Sequence, residues 1–114
     1  MKKLLIIAIL MASSVFAGGS SSAGKISNLH FMKNGALLFS HTGNRTNTTT
    51  DDACVMAQRQ EWAIDGSTEQ GRTQISGLLI AYSMGKNITV YGLGKCLDEV
   101  HKTRETVDYF YTND

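Results

Sequence analysis

The chain changes its apolar period around Gly85. Ile75, Leu78, Leu79 and Tyr82 recur at helical spacing, and after the glycine Ile88 and Val90 alternate with Thr89 and Tyr91 as in a strand. A helix joined to a strand through so short a link has to pack back against it, and few folds allow that. Ser67-Thr68-Glu69-Gln70 fits a capping box, so the spacing predicts a helix that starts at Ser67 and stops at the left-handed Gly85.

The remaining elements read as strands. Residues 25–41, KISNLHFMKNGALLFSH, carry two β-rich arms around Asn34-Gly35, which predicts a hairpin closed by a type I′ turn. TGNRTNTTTDDA then reads as a long exposed loop. From Cys54 to Ile64 the chain alternates, with Cys54, Met56, Trp62 and Ile64 on one parity and Trp62 expected in the core. Gln58 and Gln60 give that strand a polar middle. Gly92 and Gly94 mark a bend, a bulge or the close passage of another backbone, and LDEVHKTRE is a charged loop. In the last strand, ETVDYFYTN, Val107, Tyr109 and Tyr111 face one way and Thr106, Asp108, Phe110 and Thr112 the other. One face must be core, and the other is a binding or subunit surface, which makes Tyr109 and Tyr111 candidate ligand-binding residues.

Three strands, a helix and two strands is the order of a mainly β protein with one α-helix, a five-stranded Greek-key barrel of the OB-fold type with the helix between strands 3 and 4. The chain contains no proline that would contradict a strand.

The first residues, MKKLLIIAILMASSVFA, have the basic start, short apolar run and small-residue end of a signal peptide, with cleavage expected after Ala17. The apolar run is too short for a lasting membrane span of about 30 Å. The expected destination is the periplasm or the exterior of a bacterial cell. Residues 18–24, GGSSSAG, read as a flexible leader, and residues 25–114 as a single domain. Without Lys2 and Lys3 the eleven basic residues become nine against ten acidic ones, which excludes the clustered basic excess of nucleic-acid or anionic-membrane binders, and no later segment is long and apolar enough for membrane insertion to be expected. Cys54 and Cys96 are the only cysteines, and in an oxidising compartment they are expected to form a disulfide.

On the predicted helix, Gly77, Ile80 and Met84 lie almost opposite the first apolar face. Two glycines, Gly71 and Gly77, also permit close approach, so this side is the candidate oligomer interface.

Catalytic patterns are missing from the sequence. His30 falls in a strand, His41 ends the hairpin and His101 lies in the charged loop, so a two-histidine nuclease using His41 and His101 has little support. Asp98, Glu99 and His101, like Asp51 and Asp52, lack the spacing of a metal cage. Nucleophile-elbow, zinc-protease and phosphate-loop motifs do not occur. Neither enzyme activity nor a cofactor or metal is expected. Asn44, Asn47 and Asn87 match the glycosylation pattern, which carries little weight in a bacterial exported protein.

Ser22, then KISNLH (Lys25 to His30), and GLLIAYSMGKNITVY (Gly77 to Tyr91) resemble the B subunits of bacterial toxins with one active and five binding chains, of the subtilase-cytotoxin and typhoid-toxin type. The resemblance covers about two-thirds of the exported chain and is one of order and pattern. It implies an OB-fold subunit in a ring of five, a glycan as ligand and a separate active chain as partner, with Ser22 as the glycan-contacting serine. GLGKCLDEV departs from the family, which is aromatic-rich there, and the cysteine arrangement differs. Ser22 also stands in a serine run that reads as linker. EWAID-ST-x-x-G, followed by the helix and GxGxC, is similar to small exported bacterial proteins of unassigned activity. A fold hosts many functions. The expected function is therefore a carbohydrate-binding oligomer, with a monomeric protein-binding or inhibitory module as the alternative.

Overall fold

The computed structural model describes residues 18–46, 54–55, 58 and 60–114. Among the described residues the protein is mainly β, with a single long helix and seven strands in one curled sheet. In chain order these are β1 (Ser20–Gly24), β2 (Ile26–Phe31), β3 (Leu37–His41), β4 (Arg45–Thr46), β5 (Glu61–Ile64), α1 (Glu69–Ser83), β6 (Asn87–Gly92) and β7 (Glu105–Asn113). The strand order is β2-β3-β5-β7-β6-β1-β4. β5 and β7 pair in parallel, and the other neighbours are antiparallel. Only Lys25 separates β1 from β2 in the chain, yet they stand towards opposite ends of that order. The sheet therefore curls to bring the two strands together.

Several expectations are corrected. Residues 20–24 are a paired strand rather than a flexible leader, because β1 pairs with β6 on one side and β4 on the other. The small side chains that suggested a linker let backbones pass closely here: a Cβ on Gly24 would stand 2.8 Å from Gly43 Cα. The strand expected from Cys54 is confined to Glu61–Ile64, while Cys54 and Val55 are helical and Gln58 and Gln60 lie in turns. Met56, Asn47, Asp51, Asp52 and residues 1–17 lie outside the described residues.

The β2–β3 hairpin matches the sequence, but its turn is not type I′. That turn needs positive φ at both central residues, and Gly35 (φ 93°) has it whereas Asn34 does not. Gly35 N donates to Met32 O at 2.9 Å and Met32 N to Ala36 O at 2.8 Å, a type I turn closed by a glycine bulge. Asn34 is thereby free to act as a tie. Its Oδ1 accepts from Ala36 N at 3.0 Å, and its Nδ2 donates to Val100 O at 3.0 Å.

Alternation along β3 and β5 buries both faces of these strands. Leu37, Phe39, Trp62 and Ile64 join Ile26, Leu78, Ala81, Ile88, Val90 and Val107 in the main core. Leu38 and Ala63 point the other way into a smaller cluster with Ala36 and Val100, packed by Leu97. The charged loop thus covers the sheet with its two apolar residues, and Asn34 holds it there.

Helix α1 begins one residue later than the sequence suggests. Thr68 is the cap, its hydroxyl accepting from Gly71 N at 2.9 Å, because Asp65 Oδ1 already accepts from both Ser67 N and Ser67 Oγ. The end is as expected: Gly85 (φ 70°) donates to Tyr82 O and Lys86 N to Ala81 O, the two bonds of a Schellman stop. Leu78 and Ala81 are buried and Ile75 and Leu79 pack beside them, while Tyr82, in the last turn, is exposed.

Candidate functional site

Two groups of side chains stand out, one buried and one exposed. The buried group is built around Glu105, the first residue of β7, whose parallel partner on β5 is Trp62. Glu105 is 1% exposed, all but buried. It pairs with the Arg45 guanidinium and accepts from Gly94 N at 2.7 Å and Gly19 N at 3.2 Å. Arg45 also stacks 4.0 Å above the Trp62 ring, so the cation is held by a carboxylate and a π-face together. Gly92 is required at this point, because a Cβ there would meet the Glu105 carboxylate and stand 2.6 Å from Trp62 Cζ3. The sequence expectation there, a bend, a bulge or the close passage of another backbone, does not include a side chain. At Gly92 the close neighbour is this carboxylate, and a register slip falls at the same residue. With its lone pairs engaged and almost no exposure, the group braces the end of the sheet.

The disulfide expected from the cysteine count is present. Cys54 and Cys96 are bonded, with Cα atoms 6.2 Å apart and a sequence separation of 42. It ties the segment before β5 to the loop that carries Gly94. Such a bond fits an extracellular or periplasmic location, and no helix among the described residues is long and apolar enough to cross a membrane.

The exposed group lies on β6 and β7. Opposite Tyr91 the register slips, Tyr91 pairing with Tyr109 and Gly92 with Val107, so Asp108 is the extra residue of a bulge. The slip reverses the inward and outward parity. Val107 faces the core, whereas Tyr109 and Tyr111 join Tyr91 on the outer face and Phe110 packs inward. The sequence expectation that Val107 shares a face with both tyrosines is corrected on this point. Tyr91 and Tyr109 stack with centroids 4.8 Å apart and planes 8° from parallel, and Tyr111 follows at 6.3 Å from Tyr91. Tyr109 and Tyr111 are each 47% exposed. Tyr111 holds the Tyr91 phenol above its ordinary pKa, by charge and then by a hydrogen bond. Beside the stack is a groove of about 370 Å³ lined by Gly18, Tyr91, Gly92, Leu93, Asp108 and Tyr109.

The other singled-out residues lie apart from this face. Ser22 is exposed on β1, but its hydroxyl accepts from Asn44 N at 3.1 Å, so it is a strand residue tied to the segment between β3 and β4 rather than a linker serine. Ile80 and Met84 are 59% and 64% exposed on the outer side of α1. Gly77 is not with them; a Cβ there would lie 3.8 Å from Phe110 Cζ, which turns it towards β7. His41 is buried and donates Nε2–H to Ile88 O at 2.8 Å, with its pKa lowered mainly by burial. His101 interacts instead with Thr103 within the charged loop, and burial, then Arg104, lower its pKa. His30 is exposed on β2. Among the described residues no group of three or more His, Cys, Asp or Glu is gathered as for a metal ion.

The Arg45–Glu105–Trp62 group has only a faint sequence signal, an acidic residue opening a strand opposite a Gly-x-Gly pair. What the sequence does not show is that Tyr91 stands beside Tyr109, because the bulge that places it there is not written in the alternation. Comparison with protein-family models, with curated proteins and with solved structures gives no match to this chain.

Proposed function

We propose that the protein is an exported carbohydrate-binding module whose contact surface is the Tyr91–Tyr109–Tyr111 face and its groove. One observation carries this reading: two tyrosines stacked 4.8 Å apart on an exposed sheet face, opening on a groove with a carboxylate in its wall. Flat rings accept the C–H face of a sugar, while the phenols and Asp108 can exchange hydrogen bonds with its hydroxyls. Stacked tyrosines also lose little side-chain freedom on binding, which favours a shallow polar ligand.

The finer fold reading is a five-stranded OB-type barrel in which β1 and β2 are two halves of one bent strand. The pairing order then runs through strands 1-2-3-5-4 and back to 1, with α1 between strands 3 and 4, and the two-residue β4 is an addition. Export by a signal peptide cut after Ala17 accords with the Cys54–Cys96 bond. The toxin-B-like reading adds self-assembly through Ile80 and Met84, exposed side by side on one helix face.

A second reading, a monomeric protein-binding or inhibitory module, is favoured by the hairpin tip, where Phe31 is 67% and Met32 38% exposed. A glycan array probed with the native chain and with a Tyr109→Ala/Tyr111→Ala double variant separates the two. Sugar signals that disappear in the double variant support the first reading. A blank array, with a partner lost on Phe31→Ser, supports the second.

A further inference from the structure

If the leader is cut after Ala17, the first residue retained is Gly18. Gly18 lines the tyrosine groove together with Asp108. Almost no slack separates it from the sheet. Gly92 N donates to Gly19 O at 2.8 Å, Gly19 N donates to Glu105 Oε2 at 3.2 Å, and β1 begins at Ser20. Gly18 also occupies a place where a larger residue does not fit, since a Cβ there would overlap the carbonyl oxygen of Gly92. A terminus made at this bond is thus held in the groove wall and not at the end of a free tail.

Hydrolysis changes the chemistry of that wall. Before it, Gly18 N is a neutral amide with one hydrogen, joined to the Ala17 carbonyl. A leader-removing endopeptidase adds water across the bond: Ala17 leaves as a carboxylate, and Gly18 N becomes an ammonium with three donors. An unperturbed α-amine titrates at about 7.7–8.0, so the new group is mostly charged at neutral pH. The groove then holds a cationic donor, an anionic acceptor in Asp108 and two stacked rings, where before cleavage it held only the carboxylate and the rings.

We propose that removal of the leader completes this site: the Gly18 ammonium and the Asp108 carboxylate form a donor–acceptor pair at the rim of the tyrosine face for the hydroxyls of a sugar ring. The processed chain binds more tightly than the chain still joined at Ala17. This rests on the tyrosine-groove reading and on cleavage after Ala17; its own content is the role of the new amine.

The test begins with mass spectrometry of the exported protein, and a terminus other than Gly18 overturns the inference. The native chain, a chain acetylated at the Gly18 amine and a chain retaining Ala17 are then titrated with a sugar found on the array. Binding should weaken about tenfold or more in the two blocked forms, as for loss of a charge-assisted hydrogen bond. Equal binding by all three overturns the inference while leaving the tyrosine reading intact if Tyr109→Ala still abolishes binding. A separate readout needs no sugar. The Gly18 amine, followed by NMR, should titrate above the range of a free terminal glycine and fall back in Asp108→Asn. An amine that titrates identically in both chains overturns the inference. If the native chain binds no sugar, the tyrosine-groove reading fails, and the amine titration alone decides whether Gly18 and Asp108 are paired.

Discussion

The Arg45 guanidinium lies 4.0 Å above the Trp62 ring and also pairs with Glu105, which ties β4 to the paired strands β5 and β7 through side chains. Both charged side chains are almost fully buried, Arg45 at 2% and Glu105 at 0%. A buried pair of this kind specifies where strands meet, and breaking it from one side leaves a charge out of water with weakened compensation.

Glu105→Ala should therefore lower stability by about 3–5 kcal/mol, because the amides of Gly19 and Gly94 lose their acceptor along with Arg45. Urea unfolding of the two chains measures it. A loss below about 1 kcal/mol would mean that water replaces the carboxylate freely.

The disulfide closes a segment spanning 42 residues. In the simplest chain-entropy account a loop of that size is worth roughly 4 kcal/mol of unfolded-chain entropy. The double variant Cys54→Ser/Cys96→Ser should lose stability approaching that figure, measured by urea unfolding, with the native sheet still formed at low denaturant by far-ultraviolet circular dichroism.

Some of this architecture was legible residue by residue. Gly85 had to end the helix because a left-handed stop favours glycine, Asn34-Gly35 had to turn the first hairpin, and Trp62 shared parity with other apolar residues and is buried. What escaped was set by partners distant in the chain. Residues 20–24 are a strand because β6 and β4 flank them, which their small side chains cannot announce. Parity in β7 reverses at Asp108, the extra residue opposite the Tyr91–Gly92 step of β6, so the tyrosine face depends on a bulge. Ala81 rather than Tyr82 meets the core, and Tyr82, in the last turn of α1, is exposed.

His41 should give the protein a pH-dependent stability. Burial lowers its folded pKa below the unperturbed value near 6.5, so as pH falls through about 6.5 the unfolded chain takes up a proton that the folded one refuses. Stability from this group is fully present above that pH and declines below it. Urea midpoints between pH 7.5 and 5 should fall, and the slope should be shallower in His41→Gln.

Met84 is exposed, so Met84→Glu should change the stability of a lone chain by no more than about 0.5 kcal/mol. In an assembly sealed by Ile80 and Met84 the same change puts a carboxylate into an apolar seam and should reduce the solution mass to that of one chain. Light scattering on a sizing column reads both forms.

The most direct test of the tyrosine face is a calorimetric titration of the native chain and Tyr109→Ala with the strongest sugar from an array, alongside their thermal unfolding. Trp62 is fully buried, so any accompanying fluorescence change should come from tyrosine. The account predicts saturable binding that weakens about tenfold or more in Tyr109→Ala at unchanged melting temperature, the equivalent of one lost aromatic stack. Binding of equal strength in both chains, or none in the native chain, would contradict it.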